Sequence, residues 1–200
     1  MMALEFALFY CKQPTPESLE MHPFVEVNPF TPELVAARKR AKQLCQQLNA
    51  LRADQTKARK PLYQELFGQV SRAYIEPHFF CDYGSNIFLG DGFYANHNCV
   101  ILDVAEVHIG NNVMFGPNVQ IYATTHPLDA QERATGKEFC AGVTIGNNCW
   151  IGGGAIILAG VTIGEGSVIG AGSLVNKDIP AGVVAAGNPC KVLKTITPTT

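Results

Sequence analysis

The sequence predicts a mainly β fold, a solenoid of short parallel strands wound into triangular coils, with a small helical segment before it. Aliphatic side chains recur at every sixth position, glycines follow several of them, and the same phase continues upstream in groups of three. Charged residues form 16% of the chain against 47% hydrophobic residues, which is typical of many buried strands joined by tight turns.

The repeat is clearest after residue 145. Its aliphatic positions are Ile145, Ile151, Ile157, Ile163, Ile169 and Val175. Neither a helix nor a single strand has a period of six, whereas three six-residue units make one solenoid coil. The phase continues upstream as Ile109, Phe115 and Ile121, then as Leu89, Ala95 and Ile101, and more weakly as Ile75 and Cys81. We expect these side chains to point inward and to stack on their equivalents in neighbouring coils.

One loop interrupts the repeat. Ile121 and Ile145 are 24 residues apart, of which only six belong to the repeat. The remainder predicts an extruded loop at residues 124–142, which begins with Thr124, Thr125 and His126. Long loops in compact folds are disproportionately functional, so we expect function here.

The chain before the solenoid predicts two helices. Thr31-Pro32-Glu33 is a helix start, and an apolar stripe follows it at Leu34, Ala37, Ala41, Leu44 and Leu48. A second, shorter helix is predicted from Pro61 to a stop at Gly68. The basic residues between Arg38 and Lys60 are interpreted as a solvated helix face. The predicted parts are an N-terminal segment at 1–70, a β-helix domain at 71–194 and a tail at 195–200.

Composition excludes several classes of function. A net charge of −2 argues against a general nucleic-acid-binding protein. Seven cysteines without a C-x-x-C pair predict neither a disulfide framework nor a zinc knuckle. The apolar opening from Met1 to Tyr10 lacks a basic start, and no stretch reaches the ~18 apolar residues of a membrane span. We therefore expect a cytoplasmic protein without membrane contact, whose opening packs on a neighbouring surface, with a truncated signal sequence as the alternative.

Several motifs are more specific than the repeat. They lie at residues 76–103 and 117–129, in the Trp150–Ala155 stretch and in Gly187-Asn188-Pro189. In these motifs, and along about residues 31–194, the chain resembles the maltose and galactoside O-acetyltransferases. The resemblance implies a left-handed parallel β-helix that assembles as a homotrimer. It also implies that acetyl-CoA binds as co-substrate in a groove between subunits, without a required metal.

The resemblance implies roles for five residues on the acceptor side. His126, in the Thr-His-Pro stretch, would be the general base, and an imidazole suits this task because its pKa lies near neutrality. Asn96, Asp103 and Glu138 would contact the acceptor, with a turn residue, a corner cap and a solvated carboxylate as the respective alternatives. Asn28 stands where the family has an acceptor-binding Asp, and this departure leaves the acceptor open.

The resemblance also implies a binding site for acetyl-CoA. Trp150 would line the channel for the acetyl and pantetheine groups, and as the residue before inward-facing Ile151 it should point outward. The other residues implied on the cofactor side are Gly153 and Ala171, beside the pantetheine arm, and Lys177, Lys191 and Lys194, near the nucleotide phosphates. Surface lysines with no ligand are the alternative.

The resemblance and these residues together imply an acetyl-CoA-dependent O-acetyltransferase that acts by direct transfer to a hydroxyl of a sugar-like acceptor. A first alternative is a hexapeptide acetyltransferase for another acceptor, such as serine, an antibiotic or an amino sugar. A second is a γ-carbonic-anhydrase-like protein, which needs three histidines around zinc. A third is a solenoid that acts as a non-catalytic scaffold.

Overall fold

The computed structural model describes residues 24–197. Predictions that concern residues 1–23 and 198–200, including the packing of the apolar opening, lie outside the described residues. The helices are α1 (Pro32–Ala50), α2 (Thr56–Leu66) and α3 (Ala130–Ala134). The strands are β1 (Val25–Val27), β2 (Ala73–Ile75), β3 (Phe79–Cys81), β4 (Ile87–Leu89), β5 (Phe93–Ala95), β6 (Cys99–Leu102), β7 (Val107–Ile109), β8 (Met114–Phe115), β9 (Gln120–Tyr122), β10 (Thr124–Thr125), β11 (Glu138–Cys140), β12 (Val143–Ile145), β13 (Trp150–Ile151), β14 (Ile156–Leu158), β15 (Thr162–Ile163), β16 (Val168–Ile169), β17 (Leu174–Val175), β18 (Val183–Ala186) and β19 (Lys191–Thr195).

Three sheets form the faces of a triangular prism. Their strand orders are β15-β12-β7-β4, β19-β18-β16-β13-β8-β5-β2 and β17-β14-β9-β6-β3. From β2 to β17, apart from β10 and β11 in the loop, successive strands enter different sheets, so each set of three makes one coil. All pairings within these sheets are parallel except that of β19 with β18. The prediction of a solenoid of parallel strands is confirmed.

The inward-facing side chains stack in the predicted register. Ile145 pairs with Ile109 below it and with Ile163 above it. The equivalent columns are Phe115, Ile151 and Ile169 on the second face, and Ile121, Ile157 and Val175 on the third. Every member of the three columns is at least 97% buried, with Ile109 the most exposed at 3%. Burying each such side chain contributes about 1.5–3 kcal/mol, so these columns stabilise the prism along its whole length.

Coils approach each other too closely for side chains at some corners. A Cβ on Gly152 would lie 2.5 Å from the backbone nitrogen of Ala171 in the next coil. Asparagines take the left-handed conformation at other corners, at Asn98, Asn112 and Asn148 among others. Their short polar side chains tolerate this conformation better than most residues do.

The first helix begins as predicted and the second does not. Thr31 caps α1, with its Oγ1 accepting from the Leu34 N–H at 3.4 Å. The second helix starts at Thr56 rather than at Pro61, which lies inside it. Pro61 removes one intrahelical donor. The helix nevertheless continues through this exposed residue to Leu66.

One residue of the basic cluster is not solvated. Most of the lysines and arginines between Arg38 and Lys60 are exposed, as interpreted from the sequence, but Arg59 is completely buried. Its guanidinium donates to the carbonyl oxygens of Leu48, Leu51 and Ile75 at 2.7–2.9 Å. These backbone acceptors replace water, and they tie the end of α1 to β2.

A helix packs on the first coil of the prism, and a reversed strand follows the last coil. At the first coil, α1 packs on β3, where the Asn49 side chain exchanges two hydrogen bonds of 2.9 Å with the Phe79 backbone. At the last coil, β19 turns back antiparallel on β18. Within residues 24–197, no helix combines the length and apolarity needed to cross a membrane.

Candidate active site

A small antiparallel sheet gathers three of the predicted site residues. The predicted loop leaves the prism after β9 and contains β10, α3 and β11, and both β10 and β1 pair with β11. His126 directly follows β10 and Asn28 directly follows β1. Glu138 is the first residue of β11 and pairs with Val27. Because antiparallel neighbours begin and end at the same edge, His126, Glu138 and Asn28 all lie at one edge of this sheet.

His126 is exposed at the base of the loop, and its ring contacts the loop's own backbone. Its Nδ1 lies 3.3 Å from the carbonyl oxygen of Lys137. Lys137 is held in turn by ion pairs with Glu26 at 3.2 Å and with Glu132 at 3.3 Å. The backbone that orients the imidazole is therefore fixed by charges from β1 and from α3.

Glu138 lies in a field of several charges. Burial raises the pKa of its carboxyl group, the nearby charge of Asp82 raises it further, and the charges of His126 and Arg38 lower it. Burial likewise raises the pKa of Asp82, against the lowering effect of Arg38. The structure thus brings two half-buried carboxyl groups and one guanidinium to the neighbourhood of the imidazole.

Arg38 connects the elements around this group of charges. Its Nη1 donates to the Tyr83 hydroxyl at 2.7 Å, and its Nη2 donates to the Pro29 carbonyl at 2.5 Å. One side chain on α1 therefore fixes both the segment that carries Asn28 and the corner that carries Asp82.

Asp103 faces inward. It is completely buried, and its Oδ1 accepts from the backbone N–H groups of Asp82 at 3.0 Å and Tyr83 at 2.9 Å. Burial raises its pKa to about 6. This is the geometry of the corner cap, the alternative given for this residue, and it offers no surface to an acceptor. Asp103 instead positions the corner that presents Asp82.

The two asparagines predicted on the acceptor side both stabilise local turns. The Oδ1 of Asn28 accepts from the Phe30 N–H at 3.0 Å, and the Oδ1 of Asn96 accepts from the His97 N–H at 2.7 Å. Asn28 is exposed and Asn96 is half-buried. Their contact with an acceptor stays a prediction.

Trp150 projects from the outer face of the seven-stranded sheet, as expected, with 52% of its surface exposed. It pairs with Val168, Val168 with Val184, and Val184 with Lys194. These four residues form one row across neighbouring strands. Three strand spacings separate its ends, a span of roughly 14 Å.

The other residues predicted to hold acetyl-CoA lie in the same coils. Gly153 follows β13, and its carbonyl accepts from the Gly172 N–H at 2.9 Å, next to Ala171 in the coil above. Lys177 follows β17 and Lys191 begins β19, and both are exposed. The candidate cofactor residues thus occupy the C-terminal coils, while the acceptor-side residues occupy the loop and the N-terminal coils.

Comparison with known proteins decides the family. Two family models match, the maltose acetyltransferase hexapeptide capping motif at residues 28–71 and the bacterial transferase hexapeptide (six repeats) at residues 142–177. The galactoside O-acetyltransferase of Escherichia coli is 46% identical over 160 residues, covering 80% of this chain and 79% of that protein. The chain belongs to the maltose/galactoside O-acetyltransferase family.

Solved structures of the family agree with this fold. A maltose O-acetyltransferase from Clostridium difficile superimposes with a TM-score of 0.85 at 44% identity, covering 94% of this chain and all of that one. A galactoside acetyltransferase in complex with coenzyme A gives a TM-score of 0.83 at 41% identity, covering 93% of this chain and 92% of that one. The fold of this O-acetyltransferase is accordingly a left-handed parallel β-helix, as predicted.

Three residues near the candidate site of this O-acetyltransferase were missed by the sequence reasoning. Asp82, Tyr83 and Arg38 act on Glu138 or fix the segments around it. Asp82 and Tyr83 lie inside the motif at residues 76–103, but the sequence does not show that this motif approaches the loop. Among residues 24–197, no group of three or more His, Cys, Asp or Glu side chains is arranged to hold a metal ion.

Proposed function

We propose that this O-acetyltransferase transfers the acetyl group of acetyl-CoA to a hydroxyl of a sugar-like acceptor, with His126 as general base. The observation that carries the proposal is the small sheet, in which the strand that begins with Glu138 lies between the strands that lead to His126 and to Asn28. Family membership supports the reaction, and the coenzyme A bound to a solved relative supports the donor.

The contact of the His126 ring supports its role as base. A carbonyl oxygen only accepts hydrogen bonds, so the contact of Nδ1 with the Lys137 carbonyl favours the tautomer that carries its proton on Nδ1. The lone pair then resides on Nε2, which takes the proton of the attacking hydroxyl and later returns it to the leaving thiolate. The attack is direct and needs no covalent enzyme intermediate. Backbone N–H groups would stabilise the developing oxyanion.

The charges around His126 support a polyhydroxylated acceptor. Carboxylates of Glu138 and Asp82 accept hydrogen bonds from hydroxyl groups, and the amides of Asn28 and Asn96 both donate and accept them. We assign acceptor contacts to Asn28, Asn96 and Glu138, with Asp82 added from the structure.

The row from Trp150 to Lys194 supports a groove for the donor. We assign the acetyl and pantetheine end to Trp150, with Gly153 and Ala171 allowing close approach of the arm. Lys177, Lys191 and Lys194 would then meet the nucleotide phosphates as cations. In this assignment, Trp150 meets the thioester of acetyl-CoA, and the lysines at the other end of the row meet its phosphates.

A homotrimer would complete this site. Trp150 and His126 both lie on the outside of a single chain, so the channel between them needs a second wall. The outer face of the seven-stranded sheet supplies a surface for such contact, a cross-strand row of apolar side chains formed by Tyr74, Tyr94, Met114, Trp150, Val168 and Val184. Contiguous exposed apolar rows of this kind mark interfaces.

The decisive experiment replaces the base. We expect His126→Ala to lower kcat with sugar acceptors by roughly 10²–10⁴-fold, because a general base contributes about that much. Turnover would be followed by the release of free coenzyme A across a panel of sugars, serine and amino sugars. The matched control is His108→Ala, since His108 is also exposed but lies on the four-stranded face.

Each outcome bears on a separate part of the proposal. Full activity of His126→Ala would contradict the role of His126, and a failure of the wild-type protein to bind acetyl-CoA in isothermal titration would contradict the transferase function. Turnover with serine or an amino sugar, but with none of the neutral sugars, would contradict the acceptor class.

A further inference from the structure

A surface pocket between α1 and β3 contains two cysteines. Its volume is about 570 Å³, and its lining includes Lys42, Asn49 and His78 together with Cys45 and Cys81. The pocket lies outside the proposed catalytic site, because none of its lining residues belongs to the acceptor or donor groups. Both thiols are nearly buried and form part of its wall.

The two thiols contact each other. The Sγ atoms of Cys45 and Cys81 are 3.7 Å apart, within hydrogen-bonding range. The hydrogen bond from Cys81 lowers the pKa of Cys45, and the same contact together with burial raises the pKa of Cys81 well above its ordinary value. The contact allows either thiol to donate to the other, and the lowered pKa favours Cys45 as the attacking thiol with Cys81 as the resolving one.

We propose that Cys45 and Cys81 form a reversible disulfide by exchange with a low-molecular-weight disulfide such as oxidised glutathione, which enters through this pocket. The Cys45 thiolate attacks one sulfur of the small disulfide, forms a mixed disulfide and releases one small thiolate. Cys81 then attacks the Cys45 sulfur, forms the internal disulfide and releases the second thiolate. The two protons lost by the cysteines go to the two small thiols, so the small disulfide is reduced as the pair is oxidised.

The geometry requires little movement. A disulfide bond is about 2.05 Å long, so the sulfurs must approach by less than about 2 Å. A cation at Lys42, one helical turn before Cys45, favours the approach of an anionic disulfide. Cys99 and Cys149 differ from this pair in their partners, because their Sγ atoms contact backbone carbonyls inside the prism and not a second thiol.

The bond would join α1 covalently to the first coil. It would close a loop between positions 36 residues apart, which restricts the unfolded chain. Cys81 directly precedes Asp82, and α1 also carries Arg38. The disulfide would therefore stabilise the docking of the helix that supports the acceptor side, without using a residue that contacts a substrate.

The test treats the full-length protein with oxidised glutathione and then analyses intact mass, disulfide-linked peptides and thermal unfolding. We expect the loss of two hydrogen atoms per chain, a linked Cys45–Cys81 peptide, and a rise in Tm of at least about 5 °C. Dithiothreitol should reverse all three changes.

Variants make the result specific. Cys45→Ala and, as a second variant in case it fails to fold, Cys81→Ser should each abolish the mass loss and the rise in Tm. Cys190→Ala, a matched control at another nearly buried cysteine, should retain both. A glutathione adduct that never resolves, a linked pair other than Cys45–Cys81, or no reaction at all would overturn the proposal.

Discussion

Arg59 is a charged side chain that stabilises the fold through backbone acceptors. It is buried, and it donates to three carbonyl oxygens and, through Nε, to the Tyr63 hydroxyl at 3.0 Å. Bonds that involve a charged donor are stronger than neutral ones. Two of these acceptors, the Leu48 and Leu51 carbonyls, lie at the end of α1, where helix geometry leaves carbonyl groups short of donors.

We expect Arg59→Met to lower the free energy of unfolding by about 3 kcal/mol or more, since several buried acceptors would lose their donors at once. The unfolding free energy of Arg59→Lys should lie between those of the wild-type protein and Arg59→Met, because an ammonium group cannot reach three acceptors in the same fork geometry. Urea unfolding measures both, with exposed Lys60→Met as the neighbouring control. A loss under about 0.5 kcal/mol, the usual range of surface changes, would contradict this role.

Asp103 makes stability depend on pH. Burial raises its pKa to about 6, so the folded protein binds this proton more tightly than the unfolded chain does. Protonation of Asp103 therefore stabilises the folded protein at low pH. This stabilisation is lost as the pH rises from about 4, near the pKa in the unfolded chain, through about 6. The backbone N–H groups of the corner reduce this loss without abolishing it.

The neutral variant Asp103→Asn should lack this dependence. Between pH 4 and pH 7 we expect the unfolding free energy of the wild-type protein to fall by about 2 kcal/mol relative to the variant. The measurement is urea unfolding across that pH range. Asp178→Asn is the control, because Asp178 also accepts a backbone N–H at a corner but is exposed. Parallel stability curves for wild type and Asp103→Asn would refute the assignment.

At the scale of elements, β1 and α1 together form the proposed acceptor side. The strand adds to the loop sheet and brings Asn28 to Glu138, while Arg38 on α1 fixes the segment after β1. The acceptor side is therefore built from three stretches that are distant in sequence. The relative positions of these stretches depend on the Arg38 guanidinium, which contacts Tyr83 and Pro29.

Arg38→Met should weaken binding of the acceptor without affecting the donor. We expect the KM for the acceptor to rise about 10-fold or more, because small displacements of positioning groups carry costs of that order. The KM for acetyl-CoA should stay unchanged, since the donor residues lie in the C-terminal coils. Steady-state kinetics with each substrate varied in turn measures both, with exposed Lys39→Met as control. Equal changes in both constants would contradict a positioning role.

The solenoid was predictable from sequence because its signal is periodic. A period of six residues determines which side chains point inward, and the pairing of Ile109, Ile145 and Ile163 follows from it. The strand β1 was not predictable, since three residues carry no period and their partner lies more than a hundred positions away. His126 was predicted as the base from its motif, and that role stays a prediction. The burial of Arg59 was missed because a charged residue is usually solvated, and the sequence does not show the carbonyl oxygens that surround this one.

For the whole molecule, the apolar row on the seven-stranded face predicts assembly. Met114 and Trp150 are paired in this row, and each has about half of its surface exposed. A charge placed there would have to be desolvated between subunits. We therefore expect Met114→Glu to shift the proposed trimer towards monomer and to abolish acetyl transfer.

Sedimentation or light scattering measures this shift. Thr144→Glu is the matched control, as Thr144 is an exposed outward residue on the four-stranded face. Its variant should stay assembled and active. A monomeric wild-type protein, or an unaffected Met114→Glu trimer, would contradict the proposed interface.

The reversed last strand also limits growth of the molecule. A parallel solenoid ends in open hydrogen-bonding groups that another copy can extend, which leads to fibrils. Here β19 is antiparallel to the rest of its sheet and forms the outermost strand. All of its residues are exposed, and they include Lys191 and Lys194. Lysines on a sheet margin repel end-to-end polymerisation. The two lysines proposed to meet the nucleotide phosphates would therefore also oppose end-to-end pairing, and we expect the removal of both to lower solubility as well as binding of the donor.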